Sequence, residues 1–453
     1  MLLMQQTDNM KKILILGAGL VAKPMVEYLL GKRFMILIAS PMKERADEMI
    51  NGNPLGSSLD WSMAEPLVLD KLVAEYDLTV SLLPFQFHTD VAKVCLKYKK
   101  PLVTTSYVQP EMKALDQAAR DAGVLFLNEM GLDPGIDHMT AMKIIDYVHL
   151  GGGKVEEFYS LCGALPAPEA ADNPLKYKFT WSPKGVILAS RNSALYLKRG
   201  KETYIDAVNL FKDRFSYTFP GIGDLEVYPN RDSISYLNIY DIPDTKTIYR
   251  GTLRYKGWCE TLDAMKSIRM LEDSISDYGK MSYSDFIAER AGVAKKELKR
   301  NLALKLGIPE ASPAMESLDF LGFFDDEKLN YSETSPFEIT SDRMIERMML
   351  NESEKDIVLL QHLILAAYPN GTREVIRSSM VDSGSPSTNT AISRTVALPA
   401  AIAARLILEN KIMLNGVYRP VVSHIYTPIL NELKSLGIMM NEEYGLPESE
   451  MII

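Results

Sequence analysis

Cysteine is scarce in this 453-residue sequence: Cys95, Cys162 and Cys259 are widely spaced and odd in number. That excludes a disulfide framework and a cysteine zinc site, and leaves each thiol as a small buried hydrophobe. Dense Lys/Arg blocks are missing too. With 50 basic against 59 acidic residues and a formal net charge of −9, nothing tracks a phosphate backbone, so nucleic acid is not an expected partner. No uncharged apolar run has membrane-spanning length, and MLLMQQTDNMKK lacks a basic region ahead of its few apolar residues. The expectation is a cytosolic protein with no membrane partner. Internal repeats and low-complexity segments are also absent.

What is present is a globular composition, 47% hydrophobic and 24% charged, enough for large cores and two or three domains. In ILILGAGLVAKPMVEYLL, a strand over Ile13 to Leu16 meets Gly17-Ala-Gly19-Leu-Val-Ala22 and then a helical period of Val21, Met25, Val26 and Leu29. This is G-x-G-x-x-A between strand and helix. Gly17 permits the tight turn, Gly19 lets the backbone approach a pyrophosphate, and Ala22 keeps helix and strand close. The segments FMILIAS, LTVSLLP, PLVTTSY and GVLFLNE supply further strands. Alternating strands and helices from Lys11 to Glu129 describe a doubly wound parallel sheet with ligands at the strands' carboxyl ends. An NAD enzyme usually places Asp or Glu after the second strand; here stand Ala39-Ser40-Pro41-Met42-Lys43-Glu44-Arg45. Ser40, Lys43 and Arg45 accommodate a 2′-phosphate, which favours NADP, with NAD as the alternative. Lys43 and Arg45 read equally well as a solvated helix face.

Past Glu129 the pattern changes. TAMKIIDYVHL reads as a helix, VEEFYSLCGAL and GTLRY as strands, and PAPEAADNP as a loop. From Trp258 to about Phe337 the period is helical with no clear strand. DIVLLQHLILAAYPNGTREVIRSSMV then reads as a hairpin with a two-residue turn at Asn370-Gly371, belonging with the earlier mixed region. The helical block is therefore an insertion. TVALPAAIAARLILENK reads as an amphipathic helix and SHIYTPILNELKSLGI as another, both available to pack on the first domain.

MGLDPGIDHM leaves the GVLFLNE strand and crosses the seam between domains. Asp137 is placed to cap the following helix, and with His138 has a structural role. Asp133, in a strand-end loop that faces both ligands, is the candidate for cofactor contact or proton handling. Ser106 and Tyr107 end the TTSY strand at the cleft, where hydroxyls can orient a carboxylate or amine; Ser106 can also cap the helix after it. Arg231 in YPNRDS and Arg254 in GTLRYKG suit bidentate binding of a carboxylate, although either alone could be a surface ion-pair partner. Trp181 is a core anchor or a wall against the nicotinamide.

The blocks NEMGLDPGIDHM, LCGALPAPEAADNPLKYKFTWSPKGV, YPNRDS, IYRGTLRYKGW and TVALPAAIA resemble the glutamate-forming saccharopine dehydrogenases, also called saccharopine reductases, in order from about Lys11 to the C-terminal helices. The resemblance implies an α/β fold with a Rossmann-type doubly wound parallel sheet (1–129 and 396–453). It adds a second α/β substrate domain with a mixed sheet (130–256 and 337–395) and an inserted all-helical domain (257–336). It implies reductive amination: glutamate condenses with 2-aminoadipate 6-semialdehyde and a nicotinamide hydride gives saccharopine, or the reverse. It puts Gly17, Gly19, Leu20, Val21 and the Ser40 loop on the cofactor, with Leu83, Pro84, Leu132, Asp133, Pro134 and Trp181 near the nicotinamide. Ser106, Tyr107, Arg231, Thr252 and Arg254 fall on the substrate, whose three carboxylates call for such donors. Asp133 is the candidate proton-transfer group. Members that prefer NADP commonly carry Arg where this chain has Pro41; Ala397 replaces the family's more usual Gly, a change expected to affect packing only. Two other readings stay open: an imine reductase of the carboxynorspermidine or homospermidine type, and an NADP-binding sensor without turnover. Self-association into a homodimer is open as well.

Overall fold

The computed structural model describes residues 10–386 and 389–452. Its first sheet holds β1 (Lys12–Leu16), β2 (Met35–Ala39), β3 (Gly56–Leu59), β4 (Leu78–Ser81), β5 (Leu102–Thr104) and β6 (Leu125–Leu127). A seventh strand, Gly416–Tyr418, arrives from far along the chain and pairs with β6. All pairs are parallel, in the order Gly416–Tyr418, β6, β5, β4, β1, β2, β3. KILIL and MILIA read as continuous apolar runs because helices cover both faces of the sheet. Ile13 and Ile15 enter one core while Leu14 and Leu16 enter the other. Strand order reverses between β1 and β4, which opens a crevice at their carboxyl ends.

The second sheet has nine strands. Its centre is Lys154–Pro166, flanked by Thr247–Arg254 in parallel and Asp356–Ala367 antiparallel. Along Asp356–Ala367, Val358, Leu360, Ile364 and Ala366 join the core shared with the first sheet, while Ile357, Leu359, Leu363 and Leu365 face the helical segment. A period of two with both faces buried explains the uninterrupted apolar run. The hairpin to Arg373–Ser383 forms as the pattern indicates, but Asn370-Gly371 is not a two-residue turn. Tyr368 N–H donates to the Thr372 carbonyl at 2.9 Å, so the loop is Pro369-Asn370-Gly371, with Gly371 at φ 84 in the left-handed position that closes it.

Three further expectations change. The segment after Trp258 is mostly helical but contains a small ladder, Ser276–Asp277 against Glu333–Thr334; two residues carry no readable period. The seam helix begins at Ile136, so Asp137 lies inside its first turn and does not cap it from outside; its Oδ1 accepts from Gly135 N–H at 2.6 Å and His138 N–H at 2.7 Å. Ala391–Leu408 is not amphipathic. It is long and apolar enough to cross a membrane, with mean hydropathy 1.5, but 83% of it is buried inside the protein. Its buried Arg405 is matched at the rim of the core by half-buried Tyr28 Oη (2.8 Å) and Glu432 and by exposed Glu409 (2.6 Å). Asp356 of the second sheet accepts from Ala391 and Ile392 N–H at 2.6 and 3.0 Å, fixing the helix start.

One buried carboxylate fixes the exit from β6. Glu129, 1% exposed and at φ 60, accepts from Val108 N–H (2.8 Å) and Arg419 Nε (2.7 Å) on Oε1 and pairs with His138 Nε2 (2.6 Å) on Oε2. His138 Nδ1 reaches Tyr240 Oη at 2.9 Å, and its ring stacks on Tyr236. Burial opposes the Glu129 charge, but the His138 hydrogen bond, then the His138 and Arg419 charges, prevail and hold it at about 2. Burial likewise opposes the His138 charge, and Asp137 and Glu129 outweigh it, raising His138 above its ordinary value. The depressed acid stabilises the fold above its unfolded value and loses that contribution as pH falls; the raised histidine contributes below its unfolded value and loses it as pH rises. In urea unfolding, the stability gap between wild type and Glu129→Gln is expected to be widest near pH 5 to 6. It should close as pH falls from 4.5 to about 2, and a gap independent of pH would show that the pair is not ionised.

Candidate active site

The crevice is built first by the glycine turn. Gly17, at φ 107, donates its N–H to the Ala39 carbonyl at 2.9 Å, and a Cβ there would press on the Leu82 carbonyl at 3.2 Å. A Cβ on Gly19 would meet nothing within 4 Å, so backbone is open to a ligand beside the start of helix Lys23–Gly31. Ala22 is fully buried. A cleft of about 320 Å³ extends from Leu20, Lys23 and Arg45 to Phe179, Thr180, Thr390 and Ser393. Ser40 is buried at the β2 end, its Oγ accepting from Met42 N–H at 3.1 Å. No acid stands in the ribose position. These features fit a dinucleotide with a 2′-phosphate. Lys43 is drawn away from the cleft, donating to Asp47 at 2.6 Å across one helical turn, whereas Arg45 lines it without an ion pair among the described residues. Val21 and Leu83 are half-buried, Pro84 is exposed, and Leu132 and Pro134 are buried in the seam turn.

That turn is a tight knot. Gly131 N–H donates to the Pro134 carbonyl at 2.9 Å, and Ile136 N–H to the Gly131 carbonyl at 2.9 Å. Gly135, at φ 149, sits so close to Gly131 that a Cβ would lie 2.0 Å from its carbonyl oxygen. The knot aims Asp133 at the second sheet. Its Oδ1 accepts from Tyr107 Oη (2.8 Å) and from Arg250, which also donates to Tyr107 Oη at 3.1 Å and stands 3.5 Å from Asp137 Oδ2. Asp133 Oδ2 has no hydrogen bond among the described residues. The Arg250 guanidinium lies 4.3 Å over the Tyr236 ring. Burial, offset in part by Arg250, keeps the Tyr107 phenol well above its ordinary value, and burial also pushes the Cys162 thiol up. Both stay protonated.

Arg250, Thr252 and Arg254 alternate along one strand, so the pleat puts them on a common face, with Thr252 beside Cys162 in register. Arg254 is 6% exposed yet meets no carboxylate among the described residues. Its Nη1 donates to the Leu253 carbonyl at 2.8 Å, its Nε has no partner, and its guanidinium lies 5.0 Å from the Tyr177 ring and 5.6 Å from that of Trp258. A buried guanidinium without a counter-anion is a carboxylate receptor. Arg231, exposed and at φ 53, stands 5.3 Å over the Tyr107 ring with no ion pair among the described residues. Ser106 also borders this region, but it does not cap the next helix, which starts after Gln109; its Oγ meets His88 instead. Trp181 packs on both major cores, and its buried Nε1 has no partner.

Structure thus joins Asp133, Tyr107, Ser106, Thr252, Arg231 and Arg254 around the seam. Sequence reasoning missed Arg250, Glu129 and His88. Arg250 had a signal, since the pleat period places it with Thr252 and Arg254.

Residues 13–127 match the family model described as saccharopine dehydrogenase NADP binding domain, and residues 131–438 the saccharopine dehydrogenase C-terminal domain. Saccharopine dehydrogenase [NADP(+), L-glutamate-forming] of Pyricularia oryzae is 35% identical over 98% of this chain and 99% of its own length. The mitochondrial alpha-aminoadipic semialdehyde synthase of Bos taurus is 36% identical over 95% of this chain and 47% of its own. The solved structure of apo histidine-tagged saccharopine dehydrogenase (L-Glu forming) from Saccharomyces cerevisiae superposes with a TM-score of 0.87 at 34% identity, covering 96% of this chain and 99% of that one. This chain belongs to the saccharopine dehydrogenase family: six strands of its first sheet fall in the stretch that matches the NADP binding domain, and the seventh, Gly416–Tyr418, in the stretch that matches the C-terminal domain.

Proposed function

We propose that this chain is an oxidoreductase of the CH–NH group that interconverts saccharopine with L-glutamate and 2-aminoadipate 6-semialdehyde, using NADP, in lysine metabolism. The observation that carries the substrate is the pair of arginines without carboxylate partners, Arg254 buried and Arg231 over Tyr107, beside an acid already matched by Arg250. A polyamine-type substrate would need unmatched acids at the same place. We assign the chain to the cytosol, where its three buried thiols stay reduced.

NADP supplies the hydride acceptor or donor for the C–N bond. Gly17, Gly19, Leu20 and Val21 would hold its diphosphate, and Ser40 and Arg45 would take the 2′-phosphate. Leu83, Pro84, Leu132, Pro134 and Trp181 would line the nicotinamide half. Arg231, Thr252, Arg254, Ser106 and Tyr107 grip the substrate carboxylates, which fixes the reacting carbon. Asp133 moves the proton. Arg250 and Tyr107 saturate its Oδ1, leaving Oδ2 to take a proton from the substrate nitrogen or from water.

Absorbance at the nicotinamide band with saccharopine tests the reading: NADP is expected to be reduced faster than NAD. Turnover with neither nucleotide, in protein that binds NADP, would refute the substrate. Arg231→Ala should raise the Michaelis constant for saccharopine about ten-fold or more, roughly 1.4 kcal/mol of binding; an unchanged constant removes Arg231 from the pocket. Asp133→Asn should lower turnover on the order of 100-fold with a smaller change in binding. Turnover preserved within a factor of about three would leave Asp133 only as an anchor for Arg250.

A further inference from the structure

His88 begins a helix at the carboxyl edge of the first sheet and is 5% exposed. Its ring bridges two strand ends: Nδ1 lies 2.9 Å from Ser81 Oγ, on the last residue of β4, and Nε2 lies 2.9 Å from Ser106 Oγ, just past β5. Burial pulls it down to about 4, so the imidazole is neutral across the working range of pH. A neutral ring has one N–H and one bare nitrogen, and the two serines decide which is which.

Ser81 is 0% exposed, and His88 Nδ1 is the partner of its hydroxyl among the described residues. If Nδ1 carried the proton and donated to Ser81 Oγ, the Ser81 hydroxyl proton would be buried with no acceptor. If Ser81 donates to a bare Nδ1, only spare lone pairs go unused, which costs far less. Ser81 therefore donates to Nδ1, and Nε2 carries the proton. Nε2–H then donates to Ser106 Oγ. Ser106 receives a hydrogen bond from behind while its main chain is pinned, its carbonyl accepting from Glu129 N–H at 3.2 Å. Its own O–H is left to donate forward into the cleft.

We propose that His88 is a positioning residue: the directed chain Ser81 to His88 to Ser106 holds the Ser106 hydroxyl as a donor to a carboxylate oxygen of the substrate. This rests on the reading of Ser106 as a substrate contact. The fully buried Ser81 sets the polarity of the chain from one strand away. Leu82, the residue after Ser81, donates its N–H to the Leu16 carbonyl at 2.9 Å, so the β4 end that carries Ser81 is tied to the end of β1.

Two measurements test it. In two-bond proton–nitrogen correlations of the full-length protein labelled at histidine, His88 is expected to show a protonated Nε2 and a bare Nδ1; the opposite tautomer overturns the proposal. In steady-state assays, His88→Phe and Ser106→Ala should each raise the Michaelis constant for saccharopine about 3- to 10-fold, the range of one neutral hydrogen bond. The double variant should be no worse than Ser106→Ala alone. NADP affinity, read by nucleotide fluorescence, should stay within about two-fold, the margin of a lost contact far smaller than one hydrogen bond. His88→Gln, whose amide can donate where Nε2–H stands, should recover most of the loss. Equal losses from His88→Phe with and without Ser106 would overturn the proposal. If His88→Phe does not fold, Ser81→Ala serves in its place: it leaves the ring, removes the proton that selects the tautomer, and should weaken saccharopine binding with a mixed His88 signal. A wild-type protein inactive on saccharopine would defeat the proposed function instead, and the tautomer alone would then decide on His88.

Discussion

Burying a carboxylate is costly unless it is paired and hydrogen-bonded, and Glu129 is met by three partners, one of them held in turn by a fourth group. Its partners come from the loop after β5, from the segment after Gly416–Tyr418, from the seam helix and, through His138, from Tyr240 near the second sheet. Removing one partner of such a group costs about 3–5 kcal/mol, far more than a surface ion pair. This one satisfied charge sets the direction in which the chain leaves the first sheet. The knot at Gly131 to Gly135, the aim of Asp133 and the start of the seam helix all follow from that direction.

The cleft's electrostatics follow a division of labour among three arginines. Arg250 is committed to Asp133, Tyr107 and Asp137, and its charge is internally balanced. Arg254 and Arg231 have aromatic rings beside them and no acid. Rings tolerate a guanidinium without neutralising it, so both cations remain available to an anion that brings its own charge. Such a surface selects for carboxylates and against polyamines through the charge it leaves unbalanced.

The elements most legible in the sequence were those whose reasons are local. KILIL and MILIA announce buried parallel strands, and the glycine turn between strand and helix announces its ligand. The Lys43–Asp47 tie is also local, an i,i+4 pair on a helix, and the cleft keeps Arg45 instead. What escaped depends on partners distant in the chain. Arg250 and Asp133 are 117 residues apart, and neither residue signals the other. The helix Ala391–Leu408 reads as amphipathic from its own residues, yet it is buried on nearly every side, and its Arg405 is answered by Glu432, 27 residues on. Nothing local marks His88, because Ser81 and Ser106 meet it only once β4 and β5 lie side by side.

The pairing of Gly416–Tyr418 with β6 has a consequence for how the molecule is made. During synthesis the first six strands leave the ribosome nearly three hundred residues before the seventh, and through that interval β6 is an open edge with unpaired backbone groups. Arg419, which helps satisfy Glu129, emerges only then as well. The first six strands of the nucleotide-binding layer are therefore translated long before the strand that closes it, and a nascent chain needs protection at that edge until Gly416–Tyr418 arrives.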